Sequence, residues 1–398
     1  TLPVTVYQFT PYDYELGGTY SYTNDASLVI PTAVLSSNYI IMSRPTLVTE
    51  VDELFSTSDY ASPGFVVVVA TADNTQVEVK SSAYTAAGDG VSALSPGGIM
   101  TYQLNKGDVL QLLSDQSITV SNCPGITTGP DSNYTSYCDP GKNYDLTGTE
   151  VTANNPVAVW AGHACDFIPF NSYACDHLEE MMFPLETWGK EFHVGLTQKV
   201  EAGSDETNII RVLSGNDNVS ITFTPSVENA VTLNRGQFIE FLAPADQHFS
   251  IVADGAIMVG KFMVGQNYWT DSYDAMGDPA FGLVVPAAQY RSEYTFTTPV
   301  SMSRNFVNVT AIIQTDSSES ITLDAQVIPW STFEPIGTNG YGVARVEVTN
   351  TGTGGAHKIS ASSPSITFGI EVYGHAAYTS YFYPGGLDLQ FINPVGKK

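Results

Sequence analysis

Basic residues are the scarcest feature of this 398-residue chain: 15 Lys and Arg stand against 41 Asp and Glu, leaving a net charge of −26. Such a surface repels phosphate backbones and anionic headgroups, which argues against nucleic acid and against simple membrane-surface association. It suits cations, basic partners or a saline medium. Charged residues of either sign make up only 14%, and long runs of Glu, Lys, Ala and Leu are missing, so helices should be few. No apolar run approaches a membrane span, Phe65–Ala70 being among the longest. No leader peptide is visible, because Val4-Thr5-Val6-Tyr7 already reads as strand. No G-x-S-x-G elbow, Walker A or G-x-G-x-x-G element occurs in the right context, and Glu179-Glu180 are sequence neighbours with no glycosidase spacing. The sequence offers no cofactor motif and no catalytic set.

What is present is β chemistry. Gly 34, Pro 22 and Tyr 22, with abundant Ser and Thr, favour short strands and tight turns. Phe65–Ala70 reads as a buried strand, Asp73-Asn74-Thr75 as a turn, and Gln76-Val77-Glu78-Val79 alternates like a half-buried partner. The phrase recurs at Asn208–Leu213 with Val219–Phe223, and at Phe306–Ile313 with Ile321–Leu323. Leu104-Asn105-Lys106-Gly107-Asp108 is echoed by Leu233-Asn234-Arg235-Gly236-Gln237, a hairpin tip with Gly where φ is positive. Apolar closing strands follow at Pro156–His163, Gly255–Gly260 and Pro364–His375. The reading is all-β: closely packed antiparallel sandwich-like units, about three diverged repeats, dividing as 1–59 (an N-terminal strand segment, a partial unit or a strand donor), 60–204, 205–299 and 300–398. Propeller blades would be more numerous and more equal in length. One helical turn is expected at His177–Met182, capped by Asp176.

Four cysteines fall into two local pairs, Cys123 with Cys138 and Cys165 with Cys175, each short enough to close a disulfide loop. Sequons stand at Asn133, Asn218 and Asn308. His163, Asp166, Asp176, His177, Glu179 and Glu180 are metal ligands by residue type. Yet His177-Leu178-Glu179-Glu180-Met181 carries Met181 where an inverted zincin needs its second histidine. Zinc would also need thiolates that a disulfide consumes. Asp271, Asp274 and Asp278 around Gly277 form the best place for a surface calcium, though a solvated acidic loop explains them as well. Tyr12, Tyr14, Tyr20 and Tyr22, and at the other end Tyr378, Tyr381, Phe382 and Tyr383, sit in Gly/Ser/Thr-rich segments that suit either a contact surface or edge packing. Trp160 and Trp188 are expected to be buried.

Residues 161–194 resemble the signature of the IgGFc-binding protein N-terminal domain family: Gly162-His163-Ala164-Cys165, then Cys175-Asp176-His177-Leu178-x-Glu180, then Thr187-Trp188-Gly189-Lys190-x-Phe192. Gly277-Asp278-Pro279-Ala280, Pro286-x-x-Gln289-Tyr290 and Tyr294-x-Phe296 are similar to a second family element, and Tyr383-Pro384-x-Gly386-Leu387 to its closing phrase. The departures are Ala161 for serine, Met181-Met182 after the glutamate, and Phe183 for a proline. The resemblance implies an extracellular, non-enzymatic adhesion or binding module that takes a protein or glycan through its loops. A structural subunit of an extracellular filament or matrix, built from copies of the chain, is the alternative, and a metal-dependent hydrolase at His163 and His177 is a third class. Paired cysteines, sequons and the resemblance together place the chain in an oxidising, extracellular setting.

Overall fold

The computed structural model describes residues 4–9, 14–16, 19–21, 23–53, 56–130, 134–270, 276–314, 318–349 and 355–393. They form antiparallel strands and single 3-10 turns, with no α-helix among the described residues. Alternation decides each strand's faces. Thr75–Lys80 and Val219–Thr224 bury every second side chain, so Val77, Val79, Ile221 and Phe223 enter cores while Gln76, Glu78, Ser220 and Thr222 meet solvent.

One pairing order occurs three times. Gly64–Ala70 lies between Val109–Leu113 and Val157–Asp166, and Asp176–Met181 adds to the latter. The facing sheet runs Ile99–Leu104, Thr75–Lys80, Glu150–Ala153, Asn38–Ile40. Next, Asn208–Ser214 lies between Phe238–Leu242 and the second half of Phe249–Met263, to which Ala280–Val284 adds. The first half of Phe249–Met263 joins the facing sheet, between Val219–Thr224 and Gly189–Val194. Finally, Arg304–Ile312 lies between Tyr341–Val348 and Phe368–Ala376, with Thr379–Pro384 outermost. Its facing sheet runs Gln326–Ile328, Ile321–Leu323, Ala356–Ala361, Glu293–Thr297.

Buried ion pairs join these bodies. Arg211 of the second reaches Asp145 of the first at 2.8 Å, Arg44 of the first, held by Asp166 at 2.8 Å, reaches Glu240 of the second, and Lys261 of the second reaches Glu371 of the third at 2.6 Å. Each buried cation therefore has a charged partner, which its burial requires.

Three strands that end sheets, Asp176–Met181, Ala280–Val284 and Thr379–Pro384, meet around one axis. Ala26–Val29, paired with Val6–Phe9, takes the fourth place, and the four pack in a closed ring. The expected helical turn at His177–Met182 is instead the strand Asp176–Met181. Its ladder with Val157–Asp166 and its place on the axis outweigh the local capping signal. The N-terminal strand is likewise paired within its own chain, and Tyr7 Oη donates to Gly385 O at 2.8 Å.

Candidate functional site

A sheet-ending strand turns a row of amides away from its neighbour, and four such edges meeting on a dry axis need acceptors. Asp25, 0% exposed, supplies them. Its Oδ1 accepts from the amides of Ala26 at 2.8 Å and Phe382 at 3.2 Å, and its Oδ2 from Phe281 at 3.0 Å and Glu179 at 3.2 Å. One amide comes from each strand of the ring. Amides on the same edge recur every second residue, and the next pairs are served in the same way. Asp176 Oδ1 accepts from Asn24 and His177 at 2.6 and 2.8 Å, and Glu180 Oε1 from Leu28 and Met181 at 3.2 and 3.1 Å. The axis is thus a stack of carboxylates, Asp176, Asp25 and Glu180. Burial pushes all three well above the usual carboxylate range, with the amides opposing it.

The signature residues fall into place around this stack. Cys165 and Cys175 form a disulfide with Cα atoms 5.1 Å apart, and Cys123 and Cys138 a second with Cα atoms 5.9 Å apart. Both expected pairs are therefore present, and the thiolate ligands of a zinc site are consumed. The first disulfide holds the Asp176 end of its strand to Val157–Asp166. Mass spectrometry of the unreduced chain should recover a Cys165–Cys175 peptide, and the double Ser variant should lose roughly 2–3 kcal/mol for so short a loop. Alkylatable thiols at these positions would contradict the pairing.

His163 is buried, with Nε2 3.0 Å from Pro45 O and Nδ1 accepting from Cys165 N at 3.2 Å. Burial holds its pKa below the ordinary value, so it is neutral. His177 stacks on Phe65, and its Nε2 lies 3.8 Å from Glu179, which accepts from Gln8 at 3.0 Å. Trp188 is 3% exposed and donates to Phe183 O at 3.1 Å, whereas Trp160 is only half-buried. Gly189 abuts Pro286, where a Cβ would come within 2.3 Å of the ring. Asp278 is buried and donates its amide to Ser380 Oγ at 2.9 Å, beside Pro279, which has no amide to place.

Two expectations need correction. Asn308 is 0% exposed; its Nδ2 donates to Leu196 O at 3.1 Å and its Oδ1 accepts from Tyr373 at 2.9 Å, so the folded chain offers no acceptor for a glycan there. Asp278 is not on a surface calcium loop, and Asp271 and Asp274 lie outside the described residues. Of the two readings left open for Tyr381, Phe382 and Tyr383, packing holds: they are core side chains on the strand Thr379–Pro384. Tyr12, Tyr22 and Asn133 lie outside the described residues, and Asn218 is exposed on a turn. Expressed through a eukaryotic secretory route, the chain should carry glycan at Asn218 and none at Asn308, as glycopeptide mapping would show. Occupancy at Asn308 would mean that it is modified before this core forms.

Sequence reasoning missed Asp25 and Asn24. A signal existed for Asp25. Ala26, Glu179 and Phe281, whose amides it binds, each stand five residues before a proline, Pro31, Pro184 and Pro286. Among the described residues no group of three or more His, Cys, Asp or Glu is arranged to hold a metal ion.

The family described as IgGFc binding protein matches residues 25–374, and the chain belongs to that family. It is similar to the human IgGFc-binding protein, 23% identical over 254 residues, covering 63% of this chain and 4% of that protein. The chain thus spans a small part of the relative's length. No solved structure matches.

Proposed function

We propose that this chain is an extracellular, non-enzymatic binding or adhesion module that takes a protein or glycan through its loops. The observation that carries the reading is where the family signature lies. Asp176, His163, Trp188, Gly189 and Asp278 are buried, and His177 and Glu179 engage neighbouring side chains within the chain. Such residues build a scaffold, and the chemistry that varies is left to the loops it displays. On this reading the pairing order that occurs three times marks three units, near 38–181, 189–284 and 293–384, closed by the N-terminal hairpin. The divisions at 60, 205 and 300 then fall inside or after the first strand of each unit. Family membership and two disulfides support secretion.

Biolayer interferometry of the purified chain against immunoglobulin Fc fragments, together with a glycan array, tests the reading. Saturable binding that survives Asp25-preserving loop substitutions in one unit and is lost with those in another would support it and locate the face. Absence of binding to every protein and glycan probe, with hydrolysis of any of them, would overturn it.

A filament or matrix role is favoured by one separate observation. Ile99–Leu104 and Val109–Leu113 end their sheets, and Ile99 and Val109 are 57% and 60% exposed, as strands that pair with another copy would be. Electron microscopy of the purified chain distinguishes the two readings.

A further inference from the structure

At the Asp176 end of the axis five side-chain oxygens are buried without a hydrogen-bond partner: Asp176 Oδ2, Asp278 Oδ1, Asn24 Oδ1, Gln266 Oε1 and Thr379 Oγ1. None of the five residues is more than 3% exposed. Their neighbourhood follows from the contacts around them. Asp176 Oδ1 accepts from the amide of Asn24 at 2.6 Å, and the backbone amide of Asp278 donates at 2.9 Å to the hydroxyl of Ser380, which follows Thr379. Gly265, preceding Gln266, lies against Pro279 and Ala174; a Cβ on it would be 3.5 and 3.4 Å from their nearest atoms. Asp278 is also the strongest charge acting on Asp176.

Buried polar atoms are nearly always paired, and five unpaired oxygens in one neighbourhood, two of them from carboxylates, leave it short of positive charge. We propose that this end of the ring binds one calcium ion, with Asp176 and Asp278 as its charged ligands and Asn24, Gln266 and Thr379 as neutral ones. The donor set is all oxygen, which selects a hard cation. Calcium accepts six to eight oxygens in flexible geometry, a number these five reach if Asp278 binds through both of its oxygens, whereas magnesium demands a near-ideal octahedron. Two carboxylates balance the ion's charge. The ion would tie Ala26–Val29, Asp176–Met181, Ala280–Val284 and Thr379–Pro384 together one layer beyond Asp25. The proposal is independent of what the loops bind.

The test uses the full chain, stripped with EGTA and titrated with calcium alone. Native mass spectrometry should show one calcium per chain, and the melting temperature should rise with calcium concentration, because an ion bound only by the folded state stabilises it. Asp278→Asn, and the milder Thr379→Val in case the first fails to fold, should each weaken calcium binding at least tenfold. The opposing arrangement is a proton shared by Asp176 and Asp278. Acids whose pKa is raised on folding contribute stability that is present at low pH and lost as pH rises through the folded value. In that case melting would ignore calcium and EGTA, would fall between pH 5 and pH 8, and Asp278→Asn would raise it. That pattern overturns the proposal, as does one calcium held with unchanged affinity by both variants.

Discussion

Replacing Asp25 by leucine should cost the fold about 4 kcal/mol or more, a large share of the roughly 5–15 kcal/mol that keeps a typical protein folded. The carboxyl is the acceptor for four buried amides, one on each strand of the ring. A buried donor left unpaired costs about 1–3 kcal/mol, and relaxation of the ring recovers part of the sum. Asp25→Asn is the informative companion. Its amide keeps one oxygen for two of the four N–H groups and turns an NH2 on the other two, so its loss should be smaller but still large. Urea unfolding followed by the fluorescence of the four tryptophans measures both. If Asp25→Leu unfolds within about 0.5 kcal/mol of the parent chain, the stack does not close the ring and the edge amides have other acceptors.

Much of the architecture could be read from local pattern. Val77, Val79, Ile221 and Phe223 alternate with polar residues as sandwich strands should, and they are buried. The hairpin tips carry Gly107 and Gly236 at φ 87° and 75°, in the left-handed region where the sequence placed them. What local pattern could not show is the axis. Asn24-Asp25-Ala26-Ser27 reads as an ordinary polar turn, and its partners Phe281 and Phe382 lie 256 and 357 positions away. Asp176–Met181 shows the same limit: a cap-like aspartate before two glutamates looks helical until the strand's distant neighbours are known. Asn308 looked like a sequon because burial is a tertiary property, and the partners that claim its amide are on Leu196 and Tyr373.

A fainter regularity was available. Pro31, Pro184 and Pro286 each open a single 3-10 turn, followed four residues on by Leu35, Trp188 and Tyr290 and eight residues on by Tyr39, Phe192 and Tyr294. The first of each set is buried against the core that the axis strands enclose, and the second begins the facing sheet's outer strand or lies within it. Identity varies while size and apolarity persist, so a search for repeated letters passes over it. Only the prolines, which open the turns that follow the axis strands, are constant.

Trp188 stands at the first of these positions, four residues after Pro184, which sets the other large effect. Trp188→Ala should cost about 3–5 kcal/mol, the range for emptying a large buried aromatic site. The ring is 3% exposed, packs within the core that joins the first two sandwiches, and donates its Nε1 hydrogen to Phe183 O at 3.1 Å. Truncation therefore opens a cavity and leaves that carbonyl without its donor. Collapse into the space is hindered because Leu185 and Gly215 approach the ring from backbone positions fixed by a 3-10 turn and a strand end. Trp160, on Val157–Asp166, is the internal comparison: it is only half-buried and its indole nitrogen has no partner, so Trp160→Ala should cost about half as much. Calorimetric melting of the two variants side by side decides the matter. Equal losses would mean that the half-buried ring carries more packing than its exposure allows, and an unchanged melt for Trp188→Ala with binding abolished would move that tryptophan from the core to a ligand site.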